Sequence, residues 1–231
     1  MRYSFTDNIE FPSPNLARYD GLLCIGGDLT WQRLIKAYQS GIFPWFSEGD
    51  PILWWSPDPR LVLCPDKIYI SKSLYKKIKK GCFEITMDNA FEDVIVCCSK
   101  FRNKNRTSTW LVDEMVQAYI ELHKLGYAHS VESWKDGKLV GGLYGVSLGR
   151  IFFGESMFSY QTDASKVALA ALCSHLKQQE FNLIDCQVKT SHLISMGAQE
   201  IPRSLFLRVL KASLRNEDLR GKWELYRSSK E

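Results

Sequence analysis

Three polar side chains stand within or at the end of strongly apolar segments. Asp185 and Gln187 close the segment FNLIDCQV, and Glu155 lies within IFFGESMFS. A carboxylate among apolar residues is poorly solvated and can orient a cation or an amine. A neutral amide can hold an amine by hydrogen bonding but is hardly basic. These residue types favour a site that transfers a group to an amine. Two structural roles fit the sequence equally well: Asp185 as a buried acid satisfied by backbone donors, and Glu155 as an exposed loop acid.

Successive side chains along a strand point to opposite faces. In FNLIDCQV this predicts that Asp185 and Gln187 face one side and Cys186 the other. Cys186 has no evident histidine partner, and isolated buried thiols are usually inert, so we do not assign it as a nucleophile. The seven cysteines form no CxxC pair, and the four histidines show no HExxH spacing. We therefore expect no metal site and no disulfide framework.

Two further segments could bind a ligand. Trp and Phe rings lie among prolines at 41–46 and 54–60, which predicts a rigid aromatic surface for stacking or an apolar plug between two domains. Basic side chains cluster at 72–80 and 100–106, where they could neutralise phosphates or form an ordinary solvated surface. The candidates for phosphate contact are Lys72, Lys76, Lys77, Lys80, Arg102 and Arg106.

The bulk composition limits the class of protein. The chain has 231 residues, of which 45% are hydrophobic, enough for one large domain or a small domain beside a medium one. Its net charge of +4 is compatible with an anionic partner such as RNA but does not require one. The start lacks the apolar run of a secretory signal, and no stretch is apolar enough to span a bilayer. We expect a cytoplasmic protein without a membrane partner.

The elements that must position these residues follow from periodicity and turn signals. Helices are predicted at 29–40, 71–80, 88–98, 109–125, 164–178 and 202–214. In the first of them Leu34, Ile35 and Tyr38 share an apolar face, and in the fourth Leu111, Met115, Tyr119 and Leu122 do. The expected N-caps are Asp28, Asp88, Ser108 or Thr109, and Asp163 or Ser165. The segment from Lys100 to Thr109 is polar and predicts a loop. Between residues 42 and 63 the prolines predict an ordered loop or short extended pieces.

Strands alternate with these helices in the second part of the chain. A strand is predicted at 83–87, and Asp136-Gly137 predicts a hairpin between the apolar segments on either side. A second turn at 147–150 leads into the strand that contains Glu155, and FNLIDCQV predicts a central strand. We predict an α+β fold, with a small N-terminal domain at 1–62 and a mixed-sheet domain at 63–231. The order of elements in the second domain resembles the acetyltransferase (GNAT-like) core.

The sequence resembles the leucyl/phenylalanyl-tRNA–protein transferase family over roughly residues 11–206. The segments that carry this resemblance, in the order typical of the family, are GLLCIGGDL, AYQSGIFPWF, WWSPDPR, AHSVE, LVGGLYG, FFGESMFS, ASK, IDCQV, HLISMGA and IPR. WWSPDPR and GESMFS together are highly specific. The loop FRNKNRTST departs from the family pattern by its length and charge. It either adds phosphate contacts or is a tolerated surface insertion, and we favour the second.

The resemblance implies an aminoacyltransferase. Such an enzyme moves Leu or Phe, and less well Met, from aminoacyl-tRNA to the N-terminal Arg or Lys of a protein, which marks that protein for degradation. The reaction is direct aminolysis of the ester and needs no ATP, metal or other cofactor. The resemblance also implies that Asp185 and Gln187 engage the attacking amine and that Glu155 is important for activity. Residues assigned to substrate binding are Trp45, Leu143 and Phe152 for the donor side chain, Trp110 and Tyr119 near the tRNA 3′ end, and Ser156.

Two other functions remain open at this stage. An acyl-coenzyme-A N-acyltransferase would use a similar core, but SMFSYQTD, before the helix at Ala164, lacks the Gly-rich loop that holds a pyrophosphate. A non-catalytic RNA-binding module would need the basic clusters and the aromatic surface but not Asp185 and Gln187. We expect a monomer, because no exposed apolar face is evident.

Overall fold

A seven-stranded mixed sheet and a three-stranded antiparallel sheet carry the fold in the computed structural model, which describes residues 10–103 and 112–225 and, at 101–103, the backbone alone. The strands are β1 (Leu22–Ile25), β2 (Phe43–Pro44), β3 (Leu53–Trp55), β4 (Arg60–Leu63), β5 (Glu84–Met87), β6 (Ala128–Lys135), β7 (Lys138–Leu148), β8 (Ile151–Ser159), β9 (Leu183–Gln187) and β10 (Gln199–Ile201). The helices are α1 (Trp31–Gln39), α2 (Lys72–Lys79), α3 (Phe91–Asn103), α4 (Asp113–Lys124), α5 (Ala164–Gln178), α6 (Ser191–Ser195) and α7 (Arg203–Ser213). The described chain is thus a mixed α/β fold.

The large sheet has the strand order β10-β4-β9-β8-β7-β6-β5. The predicted hairpin is confirmed: β6 and β7 pair around Asp136 and Gly137, whose positive φ values of 51° and 70° suit a two-residue turn. β8 and β9 pair in parallel, which requires a crossover, and α5 provides it. β9 is interior and buried along its whole length, as its apolar sequence predicts.

Helix α1 and the small sheet occupy the first part of the described chain. Leu34 and Tyr38 are fully buried on one face of α1, as predicted, and Gly41 follows its end with φ 74°. The predicted N-cap at Asp28 is wrong, because α1 begins after Thr30. The Asp28 carboxylate instead accepts hydrogen bonds from the Thr30 N–H and from the Arg33 guanidinium.

The predicted cap at Asp88 is also wrong. Helix α3 begins at Phe91, and the Asp88 carboxylate accepts hydrogen bonds from the backbone N–H groups of Ser130, at 2.8 Å, and Trp223, at 2.7 Å. α3 continues to Asn103, so the beginning of the polar segment predicted as a loop is helical. The capping pattern is local, whereas the partners of Asp88 lie far along the chain.

Helix α4 starts later than predicted. Its first residue is Asp113 and its N-cap position is Val112, whereas the predicted caps, Ser108 and Thr109, lie outside the described residues. The predicted apolar face is confirmed where it is described, at Met115, Tyr119 and Leu122, all of which are fully buried.

One hydrophobic cluster joins the small sheet to the large one. It includes Leu34 and Trp54 from the first part of the chain, and Phe153 and Phe206 from the second. Strand β4 already belongs to the large sheet, so the predicted boundary between 62 and 63 falls inside a strand. The division into domains 1–62 and 63–231 stays a prediction. Within residues 10–103 and 112–225, no helix combines the length and apolarity needed to cross a membrane.

Candidate active site

The carboxylate of Glu155 lies at the centre of a buried polar cluster. Its Oε1 accepts hydrogen bonds from the Tyr38 hydroxyl, at 2.8 Å, and from Gln187 Nε2, at 2.9 Å. Its Oε2 accepts one from the Tyr119 hydroxyl, at 2.9 Å. The parallel pairing of β8 with β9 brings Glu155 near Gln187, and helices α1 and α4 supply the two tyrosines. Four elements therefore converge on one carboxyl group, which we call the Glu155 cluster.

The number of protons in the Glu155 cluster indicates a protonated carboxyl group. The Tyr38 and Tyr119 hydroxyl oxygens are 2.5 Å apart, so each hydroxyl oxygen contacts the other as well as Glu155. These three oxygen–oxygen contacts need three protons, and the two phenols supply two. With a proton on Glu155, the carboxyl group donates to one of the two tyrosine oxygens and accepts from the other, so that all three contacts are hydrogen bonds. Burial favours the same state, since it raises the pKa of Glu155 to about 7 despite the three donors.

Replacing Glu155 with glutamine is expected to remove a pH dependence from stability. The pKa of Glu155 rises from 4.5 to about 7 on folding, so the folded state holds the proton more tightly. The proton on Glu155 therefore adds to the free energy of unfolding. This contribution is fully present below pH 4.5 and is lost as the pH rises through about 7. At about 1.4 kcal/mol per pKa unit, the loss amounts to about 3 kcal/mol. Urea unfolding of the native protein and of Glu155→Gln from pH 4.5 to 8 measures it. Parallel pH profiles for the two proteins would contradict the raised pKa.

Asp185 lies behind Gln187 in a buried ion pair. Both of its oxygens accept from the Arg60 guanidinium, at 2.8 and 2.7 Å, and the side chains of Arg60 and Asp185 are 0% exposed. Asp185 Oδ1 also accepts the Gln187 backbone N–H, at 3.0 Å. Arg60 lies over the rings of Phe43 and Phe206. Asp185 is therefore neutralised by Arg60 and fixes the backbone of Gln187.

The predicted alternation along β9 fails at its last residue. Gln187 has φ 63°, in the left-handed region, and this bend turns its side chain away from the position that an extended strand would give. As a result Cys186 and Gln187 both line a cavity, whereas Asp185 does not. The pKa of the Cys186 thiol is raised well above its usual value, chiefly by burial. The structure thus offers no activated thiol at Cys186.

The Glu155 cluster borders an apolar cavity of about 420 Å³. Four residues predicted to contact substrate line it, namely Trp45, Leu143, Phe152 and Ser156, together with Glu155 and Gln187. Further apolar walls come from Phe158, Leu169, Leu172 and Ile184. The Ser156 hydroxyl is buried without a hydrogen-bond partner among the described residues. The cavity can therefore enclose an apolar group beside a small number of polar atoms.

The other predicted site residues lie elsewhere. Tyr119 is fully buried and reaches the site through its hydrogen bond to Glu155, not as part of the cavity wall. Trp110 and Arg106 lie outside the described residues, and the side chain of Arg102 is not described.

The predicted basic cluster on α2 divides into two parts. Lys72, Lys76 and Lys80 surround a surface groove of about 600 Å³ that Tyr75 also lines. Lys77 does not line this groove and forms an ion pair with Asp163, at 2.6 Å. Three of the four predicted lysines of this cluster thus lie together beside an exposed aromatic ring.

The sequence did not single out two residues of this arrangement. Tyr38 was predicted only as part of an apolar helix face, and Arg60 was part of the WWSPDPR motif without a role. The signal for Arg60 was a charged residue at the start of the apolar segment RLVL, which predicts a buried charge in need of a partner. Nothing in the sequence near Tyr38 identifies its partner, since Glu155 is 117 residues away.

Comparison with known proteins gives the family. Residues 62–211 match the family model for leucyl/phenylalanyl-tRNA protein transferase, and residues 27–58 match the model for the N-terminal domain of the same family. The leucyl/phenylalanyl-tRNA–protein transferase of Desulforapulum autotrophicum is 59% identical, over 96% of this chain and 96% of the relative. That of Desulfatibacillum aliphaticivorans is 55% identical, with the same coverage of both chains. The solved structure of L-PGS from Bacillus licheniformis aligns with 87% of this chain and with 66% of its own chain. Its TM-score of 0.39 and its 12% identity are too low to support a conclusion about fold or function.

The protein is accordingly an enzyme of the transferase class. Within that class, the chain belongs to the leucyl/phenylalanyl-tRNA protein transferase family.

Proposed function

We propose that the enzyme transfers Leu or Phe, and less well Met, from aminoacyl-tRNA to the α-amino group of a protein that begins with Arg or Lys. The observation that carries this proposal is the apolar cavity bordered by the Glu155 cluster. It offers space for one apolar side chain directly beside groups that can hold an amine. The family supports the same reaction.

The cavity accounts for the choice of donor. Leu143 and Phe152 belong to its apolar wall, and burying a charged donor side chain among them would be costly. Apolar side chains that differ by one methylene are separated by only about 1–3 kcal/mol in such a pocket. Met is therefore expected to be used as well, at a lower rate, whereas Asp and Lys are excluded.

Gln187 is the group best suited to hold the attacking amine. Its Nε2 donates to Glu155, which leaves its carbonyl oxygen to accept an N–H of the amine. The amine nitrogen attacks the ester carbonyl, the bond to the ribose oxygen breaks, and the proton lost by the amine is taken up by the departing ribose oxygen, which becomes a hydroxyl. The ester is already activated, so positioning supplies much of the rate. In this scheme Asp185 is a positioning residue that acts through Gln187.

Glu155 also supports the choice of acceptor. It is the one carboxyl group among the described residues that line the cavity, since Asp185 is paired with Arg60 behind it. A carboxyl group whose pKa is about 7 is partly ionised at neutral pH and attracts the cation of an Arg or Lys side chain. The proposal includes an acetyltransferase-like core for the sheet, a cytoplasmic, monomeric enzyme and a role in marking proteins for degradation.

Transfer of labelled Leu from leucyl-tRNA to a peptide that begins with Arg tests the proposal. The matched control is the same peptide with Ala at its first position, and ATP is omitted. Label on the Arg peptide alone is the expected result. Folded protein that labels neither peptide would exclude the reaction and favour a module that only binds RNA. Equal labelling of both peptides would exclude the acceptor rule.

The groove on α2 is proposed to bind the tRNA backbone. Replacing Lys76 with alanine is expected to raise the KM for leucyl-tRNA and to lower the slope of log K against log salt by about 0.9. Lys77→Ala is the matched control, because Lys77 is on the same helix but is paired with Asp163. The measurement is transfer at several salt concentrations. Equal effects of the two substitutions would contradict a phosphate contact in the groove.

A further inference from the structure

A segment after α7 runs back across the molecule and is fixed at several points. We call residues 217–223 the C-terminal strap. The Gly149 N–H donates to Asp218, at 2.6 Å, and Arg150 donates to the carbonyl of Glu217, at 3.2 Å. The Arg220 guanidinium donates to the carbonyl of Leu125, at 2.6 Å. The strap is therefore attached to the turn between β7 and β8 and to the end of α4.

The strap ends in a buried tryptophan whose backbone and ring are both held. The Trp223 N–H donates to Asp88, at 2.7 Å, and the indole is 3% exposed. The indole stacks on the imidazole of His129, with ring centroids 3.8 Å apart and planes 8° from parallel. His129 in turn contacts the same Asp88 carboxylate through Nδ1, at 2.8 Å. This arrangement leaves the indole little freedom to move.

Trp223 lies behind the wall of the apolar cavity. Its ring contacts Phe152, with centroids 5.9 Å apart, and Phe152 lines the cavity. Trp223 and Phe152 belong to one hydrophobic cluster, together with the wall residues Leu143, Leu169 and Ile184. Phe152 is also packed so closely against Gly145 that a β-carbon on Gly145 would lie 2.6 Å from its ring. The Phe152 ring therefore contacts both Gly145 and Trp223.

We propose that Trp223 is a positioning residue that sets the depth of the donor pocket by holding Phe152 in place. A smaller side chain at 223 leaves space behind Phe152, and the phenyl ring then moves back into it. The pocket becomes deeper, so that large donor side chains gain relative to leucine. This inference rests on the proposed function, because it assigns the cavity to the donor side chain.

The ratio of kcat/KM for phenylalanyl-tRNA to that for leucyl-tRNA tests the inference, with one Arg peptide as acceptor. In Trp223→Leu this ratio is expected to rise about tenfold, the low end of the discrimination that one methylene provides. Trp223→Phe is the conservative variant, and its ratio is expected to lie much closer to that of the native protein than to that of Trp223→Leu. Arg220→Ala is the matched control, because it loosens the strap without removing the contact to Phe152, and its ratio is expected to equal that of the native protein.

A second measurement does not depend on transfer. Calorimetric binding of phenylalaninamide and leucinamide is expected to show the same change of preference in Trp223→Leu. If Trp223→Leu loses stability in urea but keeps both the native transfer ratio and the native binding preference, the inference is wrong and Trp223 is only a core residue. Should Trp223→Leu fail to fold, Trp223→Phe supplies the test through a smaller shift in the same direction. A native protein that binds phenylalaninamide but transfers neither amino acid would exclude the proposed function, not the role of Trp223.

Discussion

Replacing Asp185 with asparagine is expected to lower the free energy of unfolding by about 3–5 kcal/mol. Asp185 and Arg60 are both 0% exposed, and the bidentate ion pair with Asp185 compensates the charge of Arg60. Asparagine keeps the shape of Asp185 but leaves a buried guanidinium without a counter-charge. Urea unfolding at neutral pH measures the loss. The exposed pair of Lys189 with Glu200 is the matched control, and Glu200→Gln is expected to lose less than about 1 kcal/mol.

A double substitution separates the stability of this pair from its effect on transfer. Replacing a buried ion pair by apolar residues of similar volume is often neutral or stabilising, so Arg60→Met with Asp185→Leu is expected to recover most of the lost stability. Transfer is expected to stay low, because the Gln187 N–H has then lost the Asp185 carboxylate that accepts it. Recovery of both stability and transfer would show that Asp185 has no role in holding Gln187.

Replacing Gln187 with glycine is expected to reduce transfer by about 10²–10³-fold, the range found when one preorganised polar group is removed from an active site. Its effect on stability is expected to stay within about 1 kcal/mol. Gln187 has φ 63°, and a residue with a side chain in this region is strained by about 1–2 kcal/mol, which glycine relieves. The relief offsets the loss of the hydrogen bond from Nε2 to Glu155. Transfer kinetics and urea unfolding of the same preparation measure the two effects.

Two further variants define what the Gln187 side chain contributes. Asparagine also tolerates a left-handed conformation, but its amide is one methylene short of Glu155, so Gln187→Asn is expected to transfer almost as poorly as the glycine variant. Val188→Ala changes the next residue, which lines the same cavity without a polar group, and is expected to retain most of the activity. Transfer by Gln187→Gly within tenfold of the native rate would show that the amide does not hold the amine.

Local patterns in the sequence predicted the features whose cause is local. The turn at Asp136 and Gly137 depends on two adjacent residues, and the burial of Leu34 and Tyr38 depends on helical periodicity. Six of the residues that line the cavity were also assigned to the site by the family resemblance, namely Trp45, Leu143, Phe152, Glu155, Ser156 and Gln187.

The sequence could not predict the features that depend on distant contacts. Asp88 has the pattern of a helix cap, but its partners are at residues 129, 130 and 223, and only the tertiary fold brings them together. The role of Asp185 changes for the same reason, since its partner Arg60 is 125 residues away. The left-handed backbone of Gln187 leaves no mark in the sequence, because glutamine has no preference for it.

The long separation between Arg60 and Asp185 also matters while the chain is being synthesised. Ribosomes add about 5–20 residues per second, so roughly 6–25 seconds pass between the synthesis of these two residues. During this interval β4 cannot take its final place, because its guanidinium would enter the core without the carboxylate of β9. β4 can be completed only after β9 has been made, because β9 supplies both its pairing strand and the carboxylate. The ion pair that compensates a charge in the finished enzyme therefore forms late in synthesis, when six of the seven strands of the large sheet have been made.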